Sequence, residues 1–141
     1  VTEGGILIQD KHLSGVSAEL FTAYKFSEAG YSIYFPFLTQ SKDDLVVCKD
    51  GIFNKVQVKR ATEITSNGEK YHQVRLGGSG RPEYVDGDFD ILAVVVGEDV
   101  LLFTWEEVKG KKSMCVGIHN KGKLLNKEDT ICRLLITLKK P

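Results

Sequence analysis

Apolar residues recur at helical spacing in the first third of the chain. Over residues 18–29, one stripe of an α-helix is predicted to be buried, and its members are Leu20, Phe21 and Tyr24, with Ala23 and Ser27 beside them. Ser17 precedes the segment as a suitable N-cap, and Gly30 follows it as a residue that ends helices. The sequence therefore predicts a helix that begins after Ser17 and ends at residue 29.

The residues ahead of this helix form a separate predicted segment. Ser14 and Gly15 interrupt the helical pattern. The brief apolar patch at residues 6–8 is therefore predicted to be a short strand or an arm that contacts a partner.

Most of the remaining chain has the composition and alternation of β-strands. The pattern predicts strands within residues 31–38, 45–47, 56–59, 70–76, 90–96, 100–105 and 114–118. Asn67 and Gly68 mark a turn, and Thr104 is suited to cap a short helix that begins near Trp105. Residues 90–96 are apolar almost throughout, which favours a strand buried on both faces.

A helix followed by strands and a mixed tail predicts an α+β or α/β domain with a mixed central sheet. In the tail, residues 126–129 are predicted to form a turn or short helix, and residues 131–138 a closing strand or helix. At 141 residues the chain is long enough for one core and short for two. Residues 1–141 are therefore predicted to form a single domain.

Composition and charge narrow the class of protein. With 42% hydrophobic and 27% charged residues, the chain has the composition of a globular protein rather than a disordered or fibrous one. Its formal net charge of zero gives no overall attraction to nucleic acid, so DNA binding would need local basic clusters, such as Lys55, Lys59 and Arg60. Such clusters are also typical of solvated turns.

Neither the apolar runs nor the cysteines indicate a membrane or a secreted protein. No apolar run approaches the length of a membrane span. The three cysteines have neither metal-ligand nor disulfide spacing. The sequence therefore favours a reduced, cytoplasmic setting.

Charged side chains concentrate in a predicted hairpin over residues 44–59. Asp44 directly precedes an apolar run, a turn follows at residues 49–51, and the next strand carries Gln57 and Lys59. Because residues two apart in a strand share a face, Gln57 and Lys59 point the same way. A lysine beside an acid-lined groove can hold a phosphate or a water, so one interpretation is a metal-dependent phosphodiesterase site. The other is an ordinary solvated hairpin.

Five short motifs follow one another between residues 14 and 105. They are SGVSAEL, AGYSIYFPF, DDLVV, VQVKRAT and, after Tyr84, DGDFDILAVVV. In this order they resemble the PD-(D/E)xK nuclease superfamily, whose shared core is a helix followed by a mixed sheet that carries an acid and then acid-x-lysine. The branch of group I intron homing endonucleases is the most similar, because Gln57 stands in place of the second acid. The resemblance implies a restriction-endonuclease-like core with a mixed central sheet and flanking helices.

The resemblance also implies a metal site made of four side chains and one backbone carbonyl group. Asp44 would be the principal metal ligand, and Glu19 on the helix would complete the acidic side. Gln57 would offer its amide oxygen as a ligand beside the carbonyl group of Val58. Lys59 would orient or activate the attacking water and help to neutralise the scissile phosphate.

The function implied is a magnesium-dependent endonuclease that hydrolyses phosphodiester bonds in double-stranded DNA, with Mn²⁺ able to replace Mg²⁺. It would be homing-endonuclease-like and encoded by a phage or mobile element. Gln57 is a weaker, neutral ligand than an acid, but the homing branch is characterised by the same substitution. Because cutting both strands needs two active sites, a homodimer or homotetramer is predicted. The alternatives are a Holliday-junction-resolving nuclease and a non-catalytic DNA-binding module that retains the fold.

Overall fold

The computed structural model describes residues 3–37, 43–77, 83–116 and 123–125. The helices and strands in these ranges are α1 (Glu3–Glu28), β1 (Ser32–Tyr34), β2 (Leu45–Lys49), β3 (Ile52–Arg60), β4 (Thr62–Ser66), β5 (Glu69–Arg75), β6 (Ile91–Val96), β7 (Asp99–Thr104), α2 (Trp105–Val108), β8 (Ser113–Val116) and β9 (Lys123–Leu124). Neither helix in these ranges is long and apolar enough to cross a membrane.

Helix α1 begins far earlier than the sequence pattern predicts. It runs without a break from Glu3 to Glu28, so the strand expected at residues 6–8 and the N-cap expected at Ser17 are wrong. A contact between residues 6–8 and a partner stays a prediction. Gly15 lowers helix stability by about 1 kcal/mol relative to alanine, but unlike proline it leaves the backbone hydrogen bonds intact. Packing of the following turns against the sheet offsets that loss.

The face of α1 that packs against the sheet overlaps the predicted stripe only in part: Phe21 and Ala23 are partly buried against the core. Ala18, Thr22 and Phe26 are at most 2% exposed. Leu20 and Tyr24 are more than half exposed. The small side chains of Ala18 and Thr22 let the helix approach the sheet closely, and this advantage is not visible in hydrophobicity alone.

Helix α1 ends as predicted, at Gly30, where φ is +90°. The backbone N–H of Tyr31 donates to the carbonyl group of Phe26, five residues earlier, at 3.0 Å. This is the 6→1 hydrogen bond of a Schellman motif. The rings of the same two residues meet edge to face, with centroids 5.2 Å apart. Lys49 Nζ donates to the carbonyl group of Ala29 at 2.9 Å, so a cation from β2 stabilises this helix terminus.

A six-stranded mixed sheet forms the centre of the fold, in the order β1-β2-β3-β6-β7-β9. Strands β3 and β6 are parallel, and the other neighbouring pairs are antiparallel. Between β3 and β6 the chain forms β4 and β5, which join β8 in a second, antiparallel sheet of three strands. The predicted α+β architecture with a mixed central sheet is confirmed.

The central sheet is covered on both faces. On one face, Val56 and Ala93 pack in a cluster with residues of α1. On the other face, Leu92 and Val94 pack in a cluster that includes Val74 of the second sheet. All residues of β6 except the last are buried, which confirms the prediction of a strand buried on both faces.

Other local predictions have mixed outcomes. Strands β6 and β7 form the expected hairpin, and Thr104 caps α2: its hydroxyl accepts from the N–H of Glu107 at 3.2 Å, and its own N–H donates to the Glu107 carboxylate at 3.0 Å. Strand β1 covers only three residues of the predicted 31–38. Strand β4 is not predicted from the sequence, because four of its five residues are polar. Residues 126–129 and 131–138 lie outside the described residues.

Candidate active site

Asp44 directly precedes β2, at the point where the neighbouring strand β3 extends beyond the start of β2. Its backbone N–H donates to the carbonyl group of Val56 at 2.8 Å. Its carboxylate oxygen Oδ2 accepts two hydrogen bonds at 2.9 Å, one from the backbone N–H of Val58 and one from the side-chain amide of Gln57. The pairing of β2 with β3 stops before Val58, and the Asp44 carboxylate accepts the backbone hydrogen bond that β2 no longer provides there. These hydrogen bonds fix the position of the carboxylate.

Helix α1 brings Glu19 to the same place. Glu19 is half-buried next to the buried Ala18, and its side chain hydrogen-bonds that of Asp44. Burial, then the charge of Asp44, then this hydrogen bond raise the pKa of Glu19 to about 7. Burial also raises the pKa of Asp44, although the Val58 N–H, the hydrogen bond from Glu19 and the charge of Lys59 act in the opposite direction. The two carboxyl groups therefore titrate as a pair that retains a proton close to neutral pH.

Strand β3 supplies the remaining side chains. Gln57 is 9% exposed, and its Nε2 also lies 3.4 Å from the carbonyl oxygen of Val58. Lys59 Nζ lies 5.7 Å from the centroid of the Tyr84 ring, and its charge lowers the pKa of Asp44. The structure thus brings together the residues that the sequence assigned to one site: Glu19, Asp44, Gln57, Val58 and Lys59.

The amide of Gln57 presents its nitrogen, not its oxygen, to Asp44. A carboxylate accepts hydrogen bonds and donates none, so the donor end of the amide belongs on this side. In this arrangement Gln57 holds Asp44 in place. Its role as a metal ligand through the amide oxygen stays a prediction, and that role requires the amide to turn.

The donor set suits a hard divalent cation. Within the described ranges, no group of three or more His, Cys, Asp or Glu residues is arranged to hold a metal ion. Mg²⁺ nevertheless needs few protein ligands, because it keeps several waters and takes phosphate oxygens from its substrate. Glu19 and Asp44 supply two carboxyl groups in contact, and a bound cation would offset the repulsion between them once the pair has lost its proton. The carbonyl group of Val58 lies beside Gln57.

Ahead of β6, aspartates occupy every second position from Asp86 to Asp90, and two of them form hydrogen bonds that shape a loop. Asp90 accepts a hydrogen bond from the backbone N–H of Lys55 at 2.8 Å, which ties the loop to β3. Asp86 accepts from the indole N–H of Trp105. These carboxylates are therefore structural, and they support the segment that presents Tyr84 to Lys59.

A second feature adjoins Lys59 and was not identified from the sequence. A cavity of about 370 Å³, called the basic groove below, opens where the end of β3 meets β4 and β5. It is lined by Lys59, Arg60, Thr62, Ile64, Gln73, Val74 and Arg75. The available signal was the alternation along β5, which places Gln73 and Arg75 on one face, but the groove depends on where β4 and β5 pack.

Comparisons with known proteins agree with this geometry. A family model described as PD-(D/E)XK endonuclease matches residues 9–129. The chain is 66% identical over 115 residues to Protein 5.3 of Escherichia phage T7, a match that covers 82% of this chain and 98% of that protein. Among solved structures, the bacterial homing endonuclease I-Ssp6803I matches with a TM-score of 0.65 and 21% identity, over 78% of this chain and 80% of that one. This last likeness shows a shared fold.

The family match spans most of the chain and includes all five residues of the site. The resemblance to the PD-(D/E)xK nuclease superfamily that was inferred from the sequence motifs is confirmed. The chain belongs to the PD-(D/E)XK endonuclease family.

Proposed function

We propose that this protein is a metal-dependent endonuclease that hydrolyses phosphodiester bonds in double-stranded DNA, with Mg²⁺ as its ion and Mn²⁺ as a substitute. The observation that carries the proposal is the contact between the Glu19 and Asp44 carboxyl groups within range of the Lys59 charge. Membership of an endonuclease family and the fold of a homing endonuclease support the same reaction.

Each residue of the site has a distinct task in this proposal. Glu19, Asp44 and the carbonyl group of Val58 would hold the ion, which when bound supplies Lewis-acid polarisation of the phosphate and a lowered pKa for water. Gln57 keeps the Asp44 carboxylate aligned by donating to Oδ2. Lys59 donates hydrogen bonds to the attacking water and to a non-bridging oxygen of the scissile phosphate.

Plasmid cleavage tests this proposal. Wild-type protein should relax and linearise supercoiled plasmid in Mg²⁺ or Mn²⁺ and leave it intact in EDTA. Asp44→Asn and Lys59→Ala should each lower the cleavage rate by about 100-fold or more. Asp99→Asn and Lys111→Ala make comparable changes at exposed positions and should cut at the wild-type rate.

Two outcomes would support the alternatives. Strong preference for a four-way junction over a linear duplex of the same sequence would indicate a junction-resolving nuclease rather than a homing-like enzyme. If wild type and variants all bind DNA without metal and none of them cleaves it, the protein would be a DNA-binding module that retains the fold.

The proposal extends to the oligomeric state of the protein and to its origin and cellular location. One chain forms one nuclease domain with one site, so cutting both strands of a duplex requires a homodimer or homotetramer. The similarity to a phage protein supports an origin in a phage and action in the cytoplasm of its host. Sedimentation of the protein with and without duplex DNA would give the number of chains per complex.

A further inference from the structure

We propose that the basic groove binds backbone phosphates of the cleaved DNA strand next to the scissile phosphate, with Arg60 and Arg75 as the anchoring residues. The inference rests on the proposed nuclease function and specifies how the substrate strand leaves the site. Lys59 borders both the site and the groove, so a strand whose phosphate lies at Lys59 continues directly into the groove.

The groove exists because β3 leaves the central sheet beside the site. Arg60 is the last residue of β3, and the N–H of Ala61 makes a further bond to the carbonyl group of Val95 at 2.9 Å. Strand β4 then begins at Thr62 in the second sheet. The change of sheet within two residues produces a concave surface at the junction of β3, β4 and β5.

The hairpin of β4 and β5 forms the other wall. Thr62 pairs with Gln73, and Arg75 lies two residues further along β5 on the same face. Glu63 and His72, which approach each other to 4.0 Å, lie on the opposite face of the hairpin. Glu63, the acidic residue of β4, thus lies on the face opposite to Thr62, Gln73 and Arg75, and it does not line the groove.

The charge of the lining identifies the class of ligand. Lys59, Arg60 and Arg75 are positive, and Thr62 and Gln73 are neutral hydrogen-bonding residues. Among the described residues that line the groove, none is acidic. Arginine matches phosphate because its planar guanidinium group donates two parallel hydrogen bonds. A volume of about 370 Å³ is within the range of small-ligand sites, which fits a sugar-phosphate unit rather than a folded partner.

Two substrates separate the groove from the chemical step. A duplex oligonucleotide has phosphates on both sides of the cleaved bond, whereas bis(p-nitrophenyl) phosphate has a single phosphodiester and nothing to place in the groove. Arg75→Gln should lower the ratio of kcat/KM for the duplex to kcat/KM for the small diester by about tenfold. Lys70→Gln makes the same charge change on the other face of β5 and should leave the ratio within about twofold of wild type.

Binding in EDTA tests the groove without any cleavage. The slope of log K against log salt concentration for the duplex should become shallower by about 0.9 in Arg75→Gln and stay unchanged in Lys70→Gln. Inorganic phosphate, titrated at constant ionic strength, should displace the duplex only at concentrations far above those of the DNA.

The results distinguish failure of the groove from failure of the proposed function. Equal slopes in wild type and Arg75→Gln, an equal loss on both substrates, or displacement by micromolar inorganic phosphate would each overturn the groove assignment. A wild-type protein that cleaves neither substrate, yet shows the shallower slope on Arg75→Gln, would overturn the nuclease proposal and leave the groove as a DNA-phosphate site.

Discussion

The carboxyl groups of Glu19 and Asp44 make the stability of the metal-free protein depend on pH. The pKa of Glu19 is about 7 in the folded protein against an ordinary value of 4.5, so between these values the folded state binds more protons than the unfolded state. Stability is therefore full below the ordinary pKa and is lost as pH rises through about 7. The raised pKa of Asp44 acts in the same direction. Urea unfolding in EDTA should give a lower free energy of unfolding at about pH 8 than at about pH 5.5.

Two variants isolate this effect. Glu19→Gln removes one carboxyl group of the pair and should flatten the dependence of unfolding free energy on pH. Glu98→Gln, at an exposed position in the turn between β6 and β7, should retain the wild-type dependence. A wild-type slope in Glu19→Gln would mean that the pair does not control this titration.

A divalent ion must displace the proton that the pair retains. Affinity for Mg²⁺ or Mn²⁺ should therefore increase as pH rises to about 7 and level off above it, because the pKa of Glu19 is about 7. Calorimetric titration with Mn²⁺ in two buffers of different ionisation enthalpy should show proton release below that pH and little above it. Affinity that does not change with pH would place the ion elsewhere.

Gln57 offers a test of the hydrogen bond that holds Asp44. Gln57→Glu replaces the amide donor with a third carboxyl group beside Asp44, which should lower the free energy of unfolding in EDTA by about 1–3 kcal/mol at neutral pH. The same change adds a ligand, so saturating Mg²⁺ should raise the melting temperature more in the variant than in wild type. An equal shift on adding Mg²⁺ would mean that residue 57 does not face the ion.

At the scale of elements, two glycines give opposite predictions for the same substitution: Gly15 lies inside α1, and Gly30 follows its C-terminus. Gly30→Ala forces a side chain into φ +90° and should destabilise the protein by about 1–2 kcal/mol. Gly15→Ala lies within α1 with no heavy atom near the added methyl group, and it should stabilise the protein by about 0.5–1 kcal/mol. Thermal unfolding of both variants measures the difference, and a gain in stability from Gly30→Ala would contradict the Schellman assignment.

Local patterns predicted the elements whose cause is local. The apolar run of β6, the hairpin to β7 and the capping box at Thr104 depend on neighbouring residues, and the sequence is sufficient for them. The rotation of α1 depends on how closely Ala18 and Thr22 approach the sheet, so hydrophobicity wrongly placed Leu20 inside. Strand β4 exists because β5 pairs with it, and its own residues are too polar to indicate it.

The same distinction applies to the site. Motif order and spacing selected Glu19, Asp44, Gln57 and Lys59, but the contact between the two carboxyl groups follows from the rotation of α1, which the sequence did not give correctly. The direction of the Gln57 amide and the basic groove follow from packing between elements. Such features have no signature in a single stretch of sequence.

At the scale of the whole molecule, assembly determines the products of cleavage. If each chain of an oligomer cuts one strand, mixing wild type with an excess of Asp44→Asn under conditions of exchange should convert plasmid to the singly nicked circle instead of the linear form. Gel electrophoresis separates the two products. A mixture that merely cuts more slowly, with an unchanged proportion of linear product, would contradict the model of one cut per chain.

The parallel pairing of β3 with β6 also determines the point of synthesis at which the central sheet, and with it the site, can form. Val56 pairs with Ile91, so β3 has no neighbour on that side until β4, β5 and the following loop have been translated. Such long-range pairing forms slowly, and a chain still on the ribosome that has passed Lys59 already contains every residue of the site without the sheet that orders them. Chains that end before β6 should therefore lack an ordered site, although they contain all five of its residues.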